Sequence, residues 1–594
     1  MREKTSRIYF FILIYSICSI LIIGIFGKLN SVNKAVLIYP RFGAPLCSSA
    51  SDGSNNSTYL EKPISIFIST DPAESSIPTE WLEKNYWDVR ISPSKLLNTS
   101  LISIEVVFVK IASDILFINE GEDYFLNKYN LIEISCRIPR QVPPVLYNLF
   151  IGFKTNLDIL NDTIIEPGNF IGFYGAGNSF MIAEPNCIYV PHISDLNASS
   201  NSLNNEPFSF IHITDIHVAT DENGSWSNFL KMDNLAQALT IWSPDVIIAT
   251  GDITNDPGDN PIEYLRAYNY FRELGIPIIF SNGNHDYGNL GLWYYYFGPT
   301  LSNINWMNAF FIQMNTARLL NDKSINWLTH NLKKVQNKGP IFLTCHIPPI
   351  DVLGRQVQGF GGAITDAIIK YGGTAILSGH NHYDMIMDGK KALEIYLNPI
   401  NAIQSISGEI PLLRACHTPK LIGNSAPIDS NMKLIITTSA SKDERGSKLR
   451  NSGIWEDYEG SLGYRRITLV NNQMINYTYD KNDDGLRDPT YSIPLYQLNS
   501  SIEFDNLNPL LGANFTIINN LTEPINKARV RFILPIIEEK DWKPKPSMGI
   551  EGIDYVLRYN LTNSTHQYLE YIIKVPKRIN ENTPSIIKFE LELI

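Results

Sequence analysis

Five short apolar runs in the middle of this chain end in side chains that can bind metal. Phe208–Thr214 runs into Asp215-Ile216-His217, and Val246–Thr250 into Gly251-Asp252. Ile278–Ser281 leads to Gly283-Asn284-His285-Asp286, Ile341–Cys345 to His346, and Ala375–Ser378 to Gly379-His380-Asn381-His382. Carboxylate, imidazole and amide oxygen, without thiolate, suit hard-to-borderline divalent cations. Five of the 10 His residues fall in these motifs. Glycine ahead of Asp252, Asn284 and His380 permits tight turns and close backbone approach.

Such distant residues meet only if the elements before them share an architecture. From Phe208 onward, apolar strands alternate with amphipathic helices near Trp226–Trp242 and Ile262–Leu274. That alternation predicts an α/β layered domain. Strand carboxyl ends in such sheets converge on one crevice. Leu434–Thr438 and Tyr464–Tyr479 read as returning strands, and 389–432 as an insertion or long loops.

The ordered set Asp-x-His, Gly-Asp, Gly-Asn-His-Asp, His, Gly-His-x-His resembles the calcineurin-like metallophosphoesterase superfamily over about 206–480. The resemblance implies a four-layer α/β/β/α sandwich. It implies one metal on Asp215, His217 and His382, another on Asn284, His346 and His380, and Asp252 bridging them. The cofactors would be two divalent ions: Mn, Fe or Zn. Two close cations repel, so a bridging carboxylate and hydroxide belong between them. Coordination lowers the pKa of water and supplies a nucleophile. In this reading His285 is the general acid at the leaving-group oxygen, oriented by Asp286. The purple acid phosphatase branch fits less well: Asn255 stands where it has Tyr, and His217 is present. The substrate stays open among nucleotide, phosphodiester headgroup, polyphosphate and phosphoprotein.

Several other features carry plainer readings. His212 reads as a structural strand residue and Cys345 as buried core. Trp293–Phe297 reads as a packed connecting segment. Arg355, in a glycine-bearing loop, is a candidate for contact with a substrate phosphate. Asp480, Asn482, Asp484 and Asp488 follow the spacing of a calcium loop, but Tyr491 replaces the closing Glu. A solvated acidic linker over 481–490 is the alternative.

The 594 residues carry a net charge of −11 and no strong basic run after the first few, which disfavours a nucleic-acid scaffold. Arg2, Lys4 and Arg7, in a cytoplasmic 1–7, precede a charge-free apolar run at 8–27. Its length matches a bilayer core, and the positive flank puts the rest outside the cell. A cleaved signal peptide, and hence secretion, is the alternative. Sequons such as Asn98 and Asn514 agree with an exterior glycoprotein. A stalk at 28–60 would lead to an immunoglobulin-like β-sandwich at 61–205, and a second β-sandwich would fill 491–594. The expected partners are a phosphoester substrate and, through the N-terminal helix, a membrane; protein partners are unknown from sequence. The competing function is a surface adhesion or scaffold protein with a catalytically idle phosphoesterase fold.

Overall fold

The structure is a computed structural model. It describes the N-terminal strands between 35 and 189 with segment 79–93, and 208–389 apart from short gaps at 220–227, 259–261, 290–291, 294–295, 299, 307–308, 318–319, 351–356 and 383. Beyond those it describes 432–442, 462–480, 483 and 492–594, apart from gaps at 505–511, 539 and 563–564. The apolar run at 8–27 lies outside the described residues. No helix among the described residues is long and apolar enough to cross a membrane.

Seven N-terminal strands form one antiparallel sheet: β1 (Ala35–Tyr39), β2 (Ile64–Thr70), β3 (Trp87–Pro93), β4 (Ile102–Ile111), β5 (Asn130–Arg137), β6 (Leu146–Phe153) and β7 (Met181–Tyr189). Their order is β1-β2-β5-β4-β3-β6-β7. Ile66, Val89, Ile91, Ile132, Ile134, Tyr147 and Ile151 make its core, with Trp87 edge-on to Trp81.

The central region runs β8 (Ser209–Ile213), α1 (Phe229–Trp242), β9 (Val246–Thr250), α2 (Ile262–Leu274), β10 (Ile278–Ser281), β11 (Ser302–Trp306) and β12 (Ala309–Gln313). It continues with α3 (Asp322–Val335), β13 (Ile341–Thr344), α4 (Gly361–Lys370), β14 (Ala375–Ser378), β15 (Met385–Asp388) and β16 (Lys433–Ile436), then β17 (Gly463–Val470), β18 (Gln473–Ile475) and β19 (Ile493–Pro494). One sheet has the order β10-β9-β8-β17-β18, with β19 on β17; the other has β11-β12-β13-β14-β16-β15. Strands β8, β9 and β10 are parallel, as are β12, β13, β14 and β16.

Alternation decides which face each side chain takes. Phe210, Val246, Ile248 and Ile279 of the first sheet meet Phe311, Phe342, Leu377 and Ile435 of the second. Phe210 sits edge-on to both Phe311 and Phe342. The intervening positions Ile211, Ile213, Ile247 and Ile278 face α1 and α2. On the far side, Leu343, Ile376 and Leu434 face α3 and α4. Burial on both faces is why these strands read as continuous apolar runs. The expected single returning strand over Tyr464–Tyr479 is instead the hairpin β17–β18. Asn471 and Asn472 turn it at φ 50° and 64°, the pair of positive angles that a tight hairpin demands.

The C-terminal strands are β20 (Leu498–Phe504), β21 (Gly512–Asn519), β22 (Ile525–Pro535), β23 (Trp542–Pro544), β24 (Tyr555–Thr562), β25 (His566–Val575) and β26 (Ser585–Leu593). They form two sheets, β20-β21-β26-β23 and β22-β25-β24. Phe515 and Phe589 of one sheet pack on Phe532 and Tyr571 of the other. Cys136 and Cys345 are buried free thiols.

Candidate metal centre

All the predicted ligands lie just past parallel strands of the two facing sheets. Asp215 and His217 follow β8, Asp252 follows β9, and Asn284 follows β10. His346 follows β13, and His380 and His382 follow β14. Their side chains form two groups that share a border. Asp215, His217 and His382 stand together, and so do Asp252, His346 and His380. His382 Nε2 is 3.1 Å from Asp215 Oδ1, and His217 Nε2 is 3.9 Å from it. In the second group, His346 Nε2 is 3.2 Å from Asp252 Oδ2, 3.3 Å from His380 Nδ1 and 3.1 Å from Asn284 Oδ1. Asp252 Oδ2 is also 3.5 Å from His217 Nε2, so one carboxylate oxygen faces both groups.

These separations fit metal ions. Two donor atoms each about 2.1 Å from one ion stand roughly 3.0 to 3.4 Å apart. Polar atoms left over at the site agree. Asp215 Oδ1, both nitrogens of His217 and His382 Nδ1 are buried without a hydrogen-bond partner. Unmatched buried polar atoms are costly unless something else engages them. The opposite edge of each carboxylate is anchored. Asp215 Oδ2 accepts from the Thr214 hydroxyl at 2.9 Å and from His380 N at 2.8 Å. Asp252 Oδ1 accepts from His285 N at 2.9 Å. His346 Nδ1 donates to the Thr250 carbonyl at 2.8 Å, so Nε2 is the ring atom turned toward the site.

The backbone is strained here. Asp215, His217, Asp252, His380 and His382 all have φ between 48° and 69°. Such angles cost a non-glycine residue on the order of 1 kcal/mol or more each, and they cluster at functional sites. Two glycines permit the packing. A Cβ on Gly283 would stand 2.1 Å from Asp252 Oδ1, and one on Gly379 would stand 1.8 Å from Thr214 Oγ1.

Charge and burial compete across the site. Burial lowers His217 to about 3, outweighing the pull of Asp252 and Asp215 in the other direction. Burial works against charge on Asp215 as well, but the imidazoles of His382, His346 and His217 hold its carboxyl well below the usual range. The contact between His346 and Asp252 likewise overcomes burial, raising the first and lowering the second. The donor set therefore offers anionic carboxylates and at least one neutral imidazole.

His285 stands at the rim, 37% exposed, with Nε2 4.0 Å from Asp252 Oδ2 and its ring edge-on to His217. Asp286 does not orient it, contrary to the sequence reading. His285 Nδ1 is 2.6 Å from the carbonyl of Asn255 instead. Asp286 is fully buried beneath the turn. Its carboxylate accepts from Thr254 N and Oγ1, Gly283 N and Ile253 N. Burial and Asp252 raise it to about 6. It ties the β9 and β10 loops together.

Sequence reasoning also missed the loop after β16. Ser439 donates to Asp215 O at 2.8 Å, Ser441 donates to Ile216 O, and Lys442 donates to Asn255 Oδ1 at 3.2 Å. No motif flags it; its signal is only the run of small hydroxyl residues after an apolar strand. His212 is structural, as expected. It is fully buried between the Thr250 and Thr437 hydroxyls. Trp293 and Phe297 pack in the core beside Phe280. Arg355, Asn482, Asp484 and Asp488 lie outside the described residues. Of the calcium-loop positions only Asp480 is described, and its carbonyl accepts from the Thr522 hydroxyl.

Residues 208–384 match the sequence model of the calcineurin-like phosphoesterase family. The chain is 26% identical over 221 residues to a Synechococcus protein named as a probable cyclic nucleotide phosphodiesterase, covering 34% of this chain and 84% of that one. A Pseudoalteromonas protein of the same description is 23% identical over 209 residues, covering 32% and 78%. Among solved structures, a purple acid phosphatase from yellow lupin seeds aligns with a TM-score of 0.39 and 11% identity, over 73% of this chain and 72% of that one. The family match falls on the segment that carries the clustered Asp and His side chains, and the chain is a phosphoester hydrolase with a calcineurin-like phosphoesterase domain at 208–384.

Proposed function

We propose that the chain hydrolyses a phosphodiester at a pair of divalent cations. Asp215, His217 and His382 would hold one, Asn284, His346 and His380 the other, and Asp252 would touch both. The observation that carries this is the position of Asp252 Oδ2, 3.5 Å from His217 Nε2 and 3.2 Å from His346 Nε2. The chemistry such a pair supplies, when bound, is neutralisation of phosphate charge and acidification of water. The protein's own part is positional. Thr214 and the His380 amide fix Asp215, the His285 amide fixes Asp252, and the Thr250 carbonyl orients the His346 ring through Nδ1.

His285 gives the leaving oxygen its proton. The Asn255 carbonyl keeps a proton on Nδ1, so the transferable one leaves from Nε2, which faces the site. The diester assignment follows the two relatives named as probable cyclic nucleotide phosphodiesterases. We read the paired sheets with their outer helices as the four-layer α/β/β/α sandwich, and the two C-terminal sheets as a β-sandwich. The N-terminal sheet we read as folding over on itself at β4, which pairs with β3 over Ile102–Ile104 and with β5 over Glu105–Ile111, into an immunoglobulin-like sandwich.

The test uses the full chain with added manganese. It should hydrolyse bis-p-nitrophenyl phosphate and a cyclic nucleotide faster than p-nitrophenyl phosphate. Faster cleavage of the monoester would overturn the diester assignment, and no hydrolysis of any of them would overturn the whole reading. The run at 8–27 further supports an anchored enzyme with its catalytic domain outside the cell. Protease added to intact cells should then digest that domain, and full protection until lysis would sink that placement.

A further inference from the structure

Lys442 is the feature of the site that the reaction described so far does not use. It ends the Ser439–Lys442 loop, which is fastened to the Asp215–His217 turn. Ala440 N donates to Thr214 O at 3.0 Å, and Ser439 Oγ donates to Asp215 O at 2.8 Å. Ser441 Oγ donates to Ile216 O, and Asn228 Nδ2 donates to Ser441 Oγ at 2.8 Å. Lys442 N donates to Ser439 Oγ at 2.7 Å, which sets where the side chain starts. The lysine is therefore mounted on the same scaffold as two of the proposed ligands.

Its ammonium donates to Asn255 Oδ1 at 3.2 Å, and the carbonyl of the same Asn255 holds His285 Nδ1 at 2.6 Å. One residue thus sets both Lys442 and His285 at the mouth. The Lys442 side chain is half-buried, and among the described residues its ammonium meets no carboxylate. A lysine placed for stability alone would be expected to pair with an acid or to lie free in solvent. This one is held beside an anion-handling site with N–H donors to spare, since an ammonium carries three.

We propose that Lys442 binds the substrate's phosphate, its ammonium meeting a non-bridging oxygen from the side of Asn255 and His285. The proposal rests on the two-cation phosphoesterase reading above. Lysine suits this task as a compact point charge that needs no paired geometry. It adds a positive contact and shares Asn255 with the group that protonates the leaving oxygen.

The experiment uses the full chain loaded with manganese, in wild-type form and as Lys442→Met and Lys442→Arg. Inorganic phosphate is titrated calorimetrically, metal content is measured, and KM and kcat are taken on bis-p-nitrophenyl phosphate. Lys442→Met should keep both metals and the wild-type melting temperature. Its phosphate Kd should rise about tenfold, with Lys442→Arg staying within about threefold, since a hydrogen bond to a charged group is lost in the first and the charge kept in the second. KM should move more than kcat, and the salt dependence of phosphate binding should flatten in Lys442→Met. Wild-type phosphate affinity in Lys442→Met overturns the proposal, and so does loss of metal or of folding in that variant. A manganese-loaded wild type that neither binds phosphate nor turns over overturns the phosphoesterase reading with it.

Discussion

Gly283→Ala is the smallest change that should dismantle the centre. The added methyl would stand 2.1 Å from Asp252 Oδ1, 2.2 Å from Asp252 N and 2.8 Å from Asp252 Cγ. A backbone nitrogen cannot swing aside as a flexible side chain can, so either the turn or Asp252 must give by roughly 1 Å to reach a tolerable contact. That shift also breaks the 2.9 Å hydrogen bond from His285 N to Asp252 Oδ1. Metal sites tolerate about 0.2 Å in ligand distance, and a displacement of about 1 Å at reacting groups costs on the order of 10²-fold in rate. Because Asp252 faces both groups, both should weaken together. We expect Gly283→Ala to hold fewer than two metals per chain and to lose at least about 100-fold in kcat/KM.

Gly372→Ala is the control. Gly372 has φ 74° and nothing within 4 Å of an added Cβ, so the change should cost only about 1 to 2 kcal/mol of backbone strain and leave metals and rate alone. Metal analysis, hydrolysis of bis-p-nitrophenyl phosphate and thermal melts compare the two. Full metal content with more than a tenth of wild-type activity in Gly283→Ala would refute the reasoning.

Asp252→Asn should weaken both metal sites at once, and His217→Ala mainly one; two metals and full activity in Asp252→Asn would show that it does not bridge. His285→Ala should keep both metals and lose about 10²- to 10⁴-fold on an alkyl phosphoester but far less on a p-nitrophenyl ester, whose leaving group needs little protonation. Equal losses on both would remove the proton-transfer role. Glu570, buried with Arg529, Arg531 and Arg558, supplies a pH test. Burial raises its pKa but the three arginines bring it down to about 2, so its stabilisation is present above the unfolded value near 4.5 and is lost as pH falls toward 2. The shift corresponds to roughly 3 kcal/mol. Glu570→Gln should melt well below wild type at pH 7, with the gap narrowing below about pH 4; a constant gap would refute the linkage.

The ligand positions were legible because the chemistry forces them into a pattern. Each must follow a parallel strand, and Gly283 and Gly379 must lie where a side chain would strike Asp252 or Thr214. What was not legible depends on tertiary approach. Asp286 adjoins His285 in sequence, yet it turns under the loop to reach Thr254, while a backbone carbonyl from Asn255 takes His285. Any residue type supplies a carbonyl, so no sequence marks that partner. Ser439–Lys442 reaches the site only because β16 lies parallel beside β14, and residues 379–432 separate the two in sequence. Strands β11 and β12 and helices α3 and α4 also go unmarked by the strand-end pattern. The start of α3 does carry a local signal: Asn321 accepts from Lys323 N and Ser324 N as its cap.

The acidic stretch after Asp480 reads in sequence as a linker, but the hydrophobic core does not stop there. Leu495, Leu498, Phe515, Val530 and Phe532 belong to the same buried cluster as Leu235, Leu239 and Trp242 of α1. Ser500 N donates to Gln237 Oε1 at 2.9 Å across that junction, and Arg529 Nε donates to Ser243 Oγ at 3.0 Å just past the end of α1. Helix α1 is thus covered by the first central sheet and by the C-terminal strands, which accounts for buried residues on more than one of its faces. Asn228, the residue just before it, donates to His217 O at 3.0 Å and to Ser441 Oγ at 2.8 Å. The C-terminal sheets therefore brace the helix whose N-cap residue fixes both a proposed metal ligand and the loop that carries Lys442. They form part of the physical support of the catalytic centre, although none of their residues is placed in it.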